Sequence, residues 1–409
     1  MRILLLGNHH RPVGGAETVL LETERLLRAA GHEVRVLALA DPDRRAADRA
    51  PAPDGRTEAG RRFAAVWSRG AAAATRRLVA GWRPDVAHVH HVYEGLTLSV
   101  VDALQRVGVP VVLTLHDYRP VCPNYRLFRD GQPCTRCLHR GRGYEVARLR
   151  CLEGPRIRSV AAAAEVVPAR RVYRRVAAFV APSAYLRERC VEGGLPADRV
   201  AVLPNPVPPA PARPAAPDRP RFAYVGRLVD EKGLDVLLDA AALAGLPVDV
   251  YGDGRMERRI RGRVAAERLP VAVHGRLAPA DVQAALHRAT AIVLPALWPE
   301  NCPLSLLEAA AGAVPAVASR IGGIPEIVAD GRTGLLVPPG DRHRLAAALA
   351  GLSAARSAAL GAAARARVRA RHSPEGYAAG LLALLERAAQ PWAASETGCH
   401  CRQVASLDS

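Results

Sequence analysis

The run Pro204-Asn205-Pro206-Val207-Pro208-Pro209-Ala210-Pro211-Ala212-Arg213-Pro214-Ala215-Ala216-Pro217-Asp218-Arg219-Pro220 carries eight prolines in seventeen positions. Proline fixes φ and removes a backbone donor, so such a run continues neither a helix nor a central strand. It reads as a semi-rigid linker, and it falls near the middle of a 409-residue chain.

On both sides of the linker short apolar runs alternate with stretches of helical periodicity. Before it the strand candidates are Arg2–Leu6, Val34–Ala38, Asp85–Val89, Pro110–Leu115, Ala178–Ala181 and Val200–Leu203, with helical patterns such as Ala16–Ala30, Leu96–Val107 and Ala184–Gly193 between them. After it come Phe222–Val225, Val248–Tyr251, Val271–His274, Ala291–Leu294, Ala316–Ala318 and Gly334–Val337. Continuous Val/Ile/Leu runs joined by helical crossovers mean parallel strands buried on both faces. The chain is therefore expected to be α/β, with two Rossmann-like doubly wound parallel-sheet domains facing a cleft. The expected units are 1–205, the linker 206–220, a second domain 221–372, a helix 373–390 and a loose tail 391–409. In such sheets ligands lie at the carboxyl ends of the strands, so the turns there are where chemistry is sought.

Half the residues are apolar, which excludes a disordered chain, and aromatics are scarce at 4%. The net charge is +18, and of the 57 basic residues only Lys232 is a lysine. A basic balance suits nucleic acid, an anionic membrane surface or anionic small molecules, but the arginines are scattered over helix faces with no aromatic interleaving or nucleic-acid motif, so they read as solvated faces with a general affinity for acidic surfaces. Met1–Leu6 is too short for a signal-peptide core and no span is evident, which predicts a cytoplasmic protein with reduced thiols.

The strongest local signal is Glu300-Asn301-Cys302-Pro303-Leu304-Ser305-Leu306-Leu307-Glu308, directly after the strand Ala291–Leu294. Pro303 suits the first turn of a helix, Glu300 lies in the loop before it and Glu308 two turns along. The free backbone N–H groups at 302–305 would face a ligand and form an anion site. The second signal is Gly226-Arg227-Leu228-Val229-Asp230-Glu231-Lys232-Gly233, where a fork-shaped and a compact cation sit on a glycine turn, a pair suited to a diphosphate. In the first half, Gly14-Gly15 opens a helix, and His116-Asp117 closes the strand Pro110–Leu115. A histidine at a strand's carboxyl end can hydrogen-bond a sugar hydroxyl or an oxocarbenium-like centre.

Together with Pro182-Ser183, Tyr251-Gly252-Asp253-Gly254, His274-Gly275-Arg276 and Gly322-Gly323-Ile324-Pro325-Glu326, these residues resemble a retaining glycosyltransferase of family 4, with the GT-B fold, from Met1 to about Arg371. The resemblance implies a hexosyltransferase using a UDP- or GDP-linked sugar and needing no metal for catalysis. It implies that Arg227 and Lys232 neutralise the diphosphate, Glu308 binds the ribose, and Glu300 sits by the donor sugar with the amides of Asn301, Cys302, Pro303 and Leu304. It also implies that His116 contacts the sugar near the reacting carbon and that Gly15 approaches the phosphate. Pro303 stands where many members carry glycine. His116-Asp117-Tyr118 followed by Cys122-Pro123-Asn124-Tyr125, Cys134 and Cys137 is similar to bacterial polysaccharide-assembly transferases. That likeness implies a glycan, lipid-linked or small-molecule acceptor and peripheral contact with the inner membrane face.

The stretch Tyr118–Pro155 is polar and arginine-rich, and reads as an insert with too few apolar residues to order itself by burial. Cys122, Cys134, Cys137 and Cys151, spaced C-x11-C-x2-C-x13-C, are expected to hold a structural zinc there, with His139 a substitute ligand. The alternatives are a sugar-nucleotide epimerase of the same fold and a non-catalytic basic module binding membrane or nucleic acid. A dinucleotide oxidoreductase is disfavoured because the loop Gly7–Gly15 lacks Gly-x-Gly-x-x-Gly spacing.

Overall fold

A computed structural model of the chain describes residues 1–39, 49–50, 66–93, 95–138, 142–152 and 154–390. The first half holds β1 (Arg2–Leu6), β2 (Glu33–Leu39), β3 (Arg49–Ala50), β4 (Val86–Val89), β5 (Val111–Thr114), a small hairpin of β6 (Phe128–Arg129) and β7 (Gln132–Pro133), β8 (Ala178–Ala181) and β9 (Val200–Val202). The second half holds β10 (Phe222–Val225), β11 (Val248–Tyr251), β12 (Val271–Gly275), β13 (Ala291–Leu294), β14 (Ala316–Ser319) and β15 (Gly334–Val337). They form a seven-stranded sheet in the order β3-β2-β1-β4-β5-β8-β9 and a six-stranded sheet in the order β12-β11-β10-β13-β14-β15. Every pairing in the two large sheets is parallel.

All twelve expected strands are present with ends displaced by no more than one residue, and only the edge strand β3 and the hairpin lay outside the expectation. The reason is physical. The central strands β4, β5, β13 and β14 are buried along their whole length, so their sequences are uninterrupted apolar runs. In the first sheet the chain winds outward from β1 and returns to β4 on the other side. In the second it winds outward from β10 and returns to β13. The crevices beyond β1/β4 and β10/β13 are therefore the switch points at which such sheets bind ligands.

The proline run forms neither helix nor strand, as expected, but it is more firmly held than a spacer. Arg213 is buried on the second domain, where its guanidinium donates to Ala289 O at 2.7 Å and to Ser357 Oγ at 2.7 Å. The chain crosses between domains a second time near His372. Val207 N donates to His372 O at 3.0 Å, and His372 Nδ1 lies 2.9 Å from Asn205 O, so the two crossings run side by side.

The helix Pro374–Ala389, expected as a separate unit, packs on the first domain. Tyr377, Leu381, Leu384 and Leu385 are buried against Ile3, Leu5, Leu20, Val34 and Val36, and Tyr377 Oη lies 2.9 Å from Thr23 Oγ1. Burial of such side chains contributes about 2 kcal/mol each. The tail expected at 391–409 lies outside the described residues.

Candidate active site

The turn after β10 carries Arg227 exposed at its rim and runs through the short 3-10 turn Asp230–Lys232 to Gly233. Gly233 has φ 72°, and a Cβ there would sit 1.9 Å from Pro295 O, so only glycine lets this turn press against the end of β13. That contact brings Lys232 to Glu300. Lys232 Nζ donates to Glu300 Oε1 at 2.5 Å, and Trp298 Nε1 donates to the same oxygen at 2.8 Å. The ammonium also lies 5.8 Å from the centroid of the Trp298 ring. Glu300 is only 4% exposed, so its charge depends on these two donors. Trp298 was not singled out from the sequence.

Beyond Glu300 the helix Leu304–Ala311 begins, and Pro303 stands one place earlier than expected, as the residue before the first turn. Proline has no N–H, so the run 302–305 offers the amides of Cys302, Leu304 and Ser305 and not that of Pro303. The side chains of Asn301 and Cys302 are already engaged. Asn301 Oδ1 accepts from Ser183 Oγ at 2.9 Å and its Nδ2 donates to Leu115 O at 3.3 Å, both in the first domain. Cys302 hydrogen-bonds Asn205, and burial pushes its thiol up to about 12. Glu308 hangs from the next turns of the helix, and burial raises its carboxyl to about 7.

The first domain supplies the opposite wall. Gly15 opens the helix Gly15–Ala29 and faces the start of the other helix, since a Cβ on Gly15 would meet Leu304 Cδ1 at 3.4 Å. Two helix N-termini, one from each domain, therefore point at one place in the cleft, where their free N–H groups and dipoles favour an anion. His116 follows β5 and is half-buried. Burial, then the neighbouring His91 and His88, push its pKa down to about 3, so it is a neutral imidazole at ordinary pH. His116 Nε2 lies 3.0 Å from His90 Nδ1, and the ring of His88 lies tilted against His90 with the ring centres 4.3 Å apart. His88 and His90 were missed at the sequence level, although a histidine inside a buried strand and a second just past its end are themselves a signal.

The cleft is closed by contacts across it. Tyr118 Oη donates to Pro299 O at 2.9 Å, and the Glu326 carboxylate accepts from Ala184 N and Tyr185 N at 2.8 Å each, capping a helix of the other domain. Arg126 pairs with the buried Glu231 at 3.5 Å, and Arg255 pairs with it at 3.2 Å. The structure thus brings Gly15, Lys232, Glu300, Leu304 and the start of the Glu308 helix together, with His116 on the facing wall and Arg227 at the edge.

The insert differs from expectation. Tyr118, Val121, Cys122, Leu127, Phe128, Leu138 and Val146 are all buried, so it does order itself by burial. Among the described residues no three His, Cys, Asp or Glu side chains are arranged to hold a metal ion, although Cys122, Cys134 and Cys151, three of the four thiols expected to hold zinc, all lie close enough to Cys137 to raise its pKa. The Cys137 thiol instead donates to Cys122, which lowers the Cys122 pKa, while burial pushes Cys151 up to about 11. His139 lies outside the described residues.

Two family models match the chain, and the gap between them falls inside the proline run. One is described as Glycosyltransferase Family 4 and covers residues 13–210; the other, Glycosyl transferases group 1, covers residues 219–354. The alpha-maltose-1-phosphate synthase of Mycolicibacterium smegmatis is 30% identical over 278 residues, which is 62% of this chain and 64% of that protein. The putative colanic acid biosynthesis glycosyltransferase WcaL of Salmonella typhimurium is 34% identical over 151 residues, 34% of this chain and 37% of that one. The chain spans between 18% and 64% of the length of such curated relatives. Among solved structures, Anabaena HepE in complex with UDP-glucose superposes with a TM-score of 0.69 at 17% identity, over 95% of this chain and 100% of that one. That likeness speaks for the two-domain GT-B fold alone.

Proposed function

The chain belongs to the group 1 and family 4 glycosyltransferases, and from that premise we propose that it moves a sugar from a nucleoside-diphosphate sugar to a hydroxyl acceptor with retention of anomeric configuration. The observation that carries the reading is the convergence of two helix N-termini with the Lys232–Glu300 pair between the sheets. The diphosphate binds between Gly15 and Leu304, with Lys232 and Arg227 supplying positive charge as the leaving group departs. Glu308, whose carboxyl burial raises to about 7, takes the ribose hydroxyls. Glu300 orients the sugar, and the neutral His116 hydrogen-bonds it near the reacting carbon. These cations and amides stabilise the departing diphosphate, so the reaction needs no divalent ion. HepE was solved with UDP-glucose, which makes UDP-linked glucose the first donor to test and GDP-linked sugars the second. The acceptor is a glycan, a lipid-linked sugar or a small molecule, and the names of relatives such as WcaL favour polysaccharide assembly. No single described helix is long and apolar enough to cross a membrane, and we place the protein in the cytoplasm, peripheral to the inner membrane face.

The test is nucleotide release from UDP- and GDP-sugars, with and without acceptors and with a chelator, followed by NMR of the product's anomeric centre. Release that survives chelation and gives a retained product supports the reading. An inverted centre, or a rearranged nucleotide sugar with no transfer, would replace it with another chemistry.

A further inference from the structure

The helix Arg156–Tyr173 carries an outer face that a surface helix does not ordinarily present. Spacings of three and four residues put Arg156, Val160, Ala164, Val167, Arg171 and Arg174 on one stripe, and all six are exposed. Val167 is 71% exposed, Val160 54% and the adjacent Ile157 51%, while Tyr144, packed beside the helix, is 57% exposed. These four are half of the large apolar side chains that stand so far out among the described residues, so the clustering is not scatter. The opposite face is buried through Ala162, Ala169, Val172 and Tyr173. The one acid of the helix, Glu165, is turned inward, with its carboxylate 4.0 Å from Arg119. The outer face is therefore apolar in the middle and purely cationic at both ends, with Arg170 added at the second.

We propose that this face docks on an anionic lipid bilayer, with Ile157, Val160 and Val167 in the headgroup–acyl boundary and Arg156, Arg170, Arg171 and Arg174 on lipid phosphates. Charge complementarity selects this occupant. A protein interface of any strength needs a wide core with aromatic or arginine anchors at its centre. Here the centre is a narrow strip of valine and alanine and the arginines are at the ends, where their long stems reach headgroups. The net charge of +18 draws the whole molecule to the same surface.

The experiment is flotation of the full chain with vesicles of pure phosphatidylcholine or of phosphatidylcholine with 30% phosphatidylglycerol, the latter chosen as roughly the anionic content of a bacterial inner leaflet. The expected result is binding to the anionic vesicles at least about tenfold tighter than to the neutral ones, weakened by salt. Val160→Asp/Val167→Asp and Arg170→Glu/Arg171→Glu should each lower that affinity about tenfold or more, while Arg258→Glu/Arg344→Glu, exposed arginines of the second domain, should leave it within about twofold. Val167→Trp should shift its fluorescence to the blue on anionic vesicles only, a reading that does not depend on the charge variants folding. Equal losses in the second-domain variant would reduce the effect to net charge and overturn the proposal. So would unchanged binding of Val160→Asp/Val167→Asp, or a dimer that those substitutions dissolve. Vesicle binding is read without any sugar transfer, so its failure and the failure of the enzymatic reading are separable.

Discussion

His90 Nδ1 and His116 Nε2 lie 3.0 Å apart, and the other nitrogen of His90 is buried without a partner. Burial holds both rings neutral, so one nitrogen of the pair donates and the other accepts. An orphaned buried N–H is rarer than an orphaned acceptor. The proton of His90 is therefore on Nδ1, donated to His116 Nε2, and His116 keeps its own proton on Nδ1 as the donor offered to the cleft. His90→Phe should lower kcat about tenfold or more with little change in KM, by the loss of one positioned hydrogen bond. His90→Asn, whose amide can replace Nδ1–H, should recover part of it. Nitrogen NMR of His116 showing the Nε2–H form would reverse the assignment.

The buried histidines also set the response to acid. His88 is fully buried, and burial pushes its pKa down to about 3, well below its unfolded value. Between those values the unfolded chain binds more protons, so stability is complete above about pH 6.5 and falls as pH drops toward 3. Each such histidine steepens the loss by up to about 1.4 kcal/mol per pH unit. Denaturant midpoints from pH 7 to 4 should fall steadily, and His88→Gln should flatten the slope.

Glu308 predicts a different pH dependence. Its folded carboxyl titrates near 7 because of burial, so it is mostly protonated at pH 6 and mostly ionised at pH 8. Ribose hydroxyls donate to the ionised form. Nucleotide affinity should therefore rise about tenfold from pH 6 to 8, with protons released on binding. Calorimetry in buffers of different ionisation heat measures both, and Glu308→Gln should show neither.

Lys232 and Glu300 should behave as a unit. Lys232→Ala leaves a buried carboxylate with one donor, a loss of about 3 kcal/mol or more, whereas Lys232→Met/Glu300→Gln removes both charges and should be milder. In ligand titrations Lys232→Ala and Arg227→Ala should each weaken UDP far more than uridine, by about 1.5–3 kcal/mol for a charge-assisted hydrogen bond. Lys232→Arg should also be impaired, because the space between the Trp298 ring and Glu300 suits a compact ammonium. UDP affinity unchanged from the wild type in these variants, or a loss no larger than that for uridine, would remove the diphosphate from this turn.

What could be read from the sequence followed burial and chain-local chemistry. Runs such as Val111–Thr114 and Ala291–Leu294 announce themselves because both faces are covered, and the loops after them carry His116 and Glu300, polar residues that stand out at the end of an apolar strand. What stayed hidden joins residues far apart in the chain. Tyr118 to Pro299, Glu326 to Ala184 and Arg126 to Glu231 leave no periodicity to detect. The insert misled for another reason. Its few apolar residues were counted against its length, yet Leu127, Phe128 and Leu138 reach a ready-made core in the first domain and need no centre of their own.

The two crossings stitched together at Asn205, Val207 and His372 give the molecule a single seam. A body attached to another along one seam has one easy rotation, and twist or slide would break the Val207–His372 and His372–Asn205 bonds. Opening by that rotation would part contacts that now cross the cleft, among them Tyr118 with Pro299, Ser183 with Asn301, and the amides of Ala184 and Tyr185 with Glu326. The same swing carries Leu304 away from Gly15 and so dismantles the anion pocket. Rotation about that seam would gear entry of ligand and assembly of the charges that hold it to one coordinate.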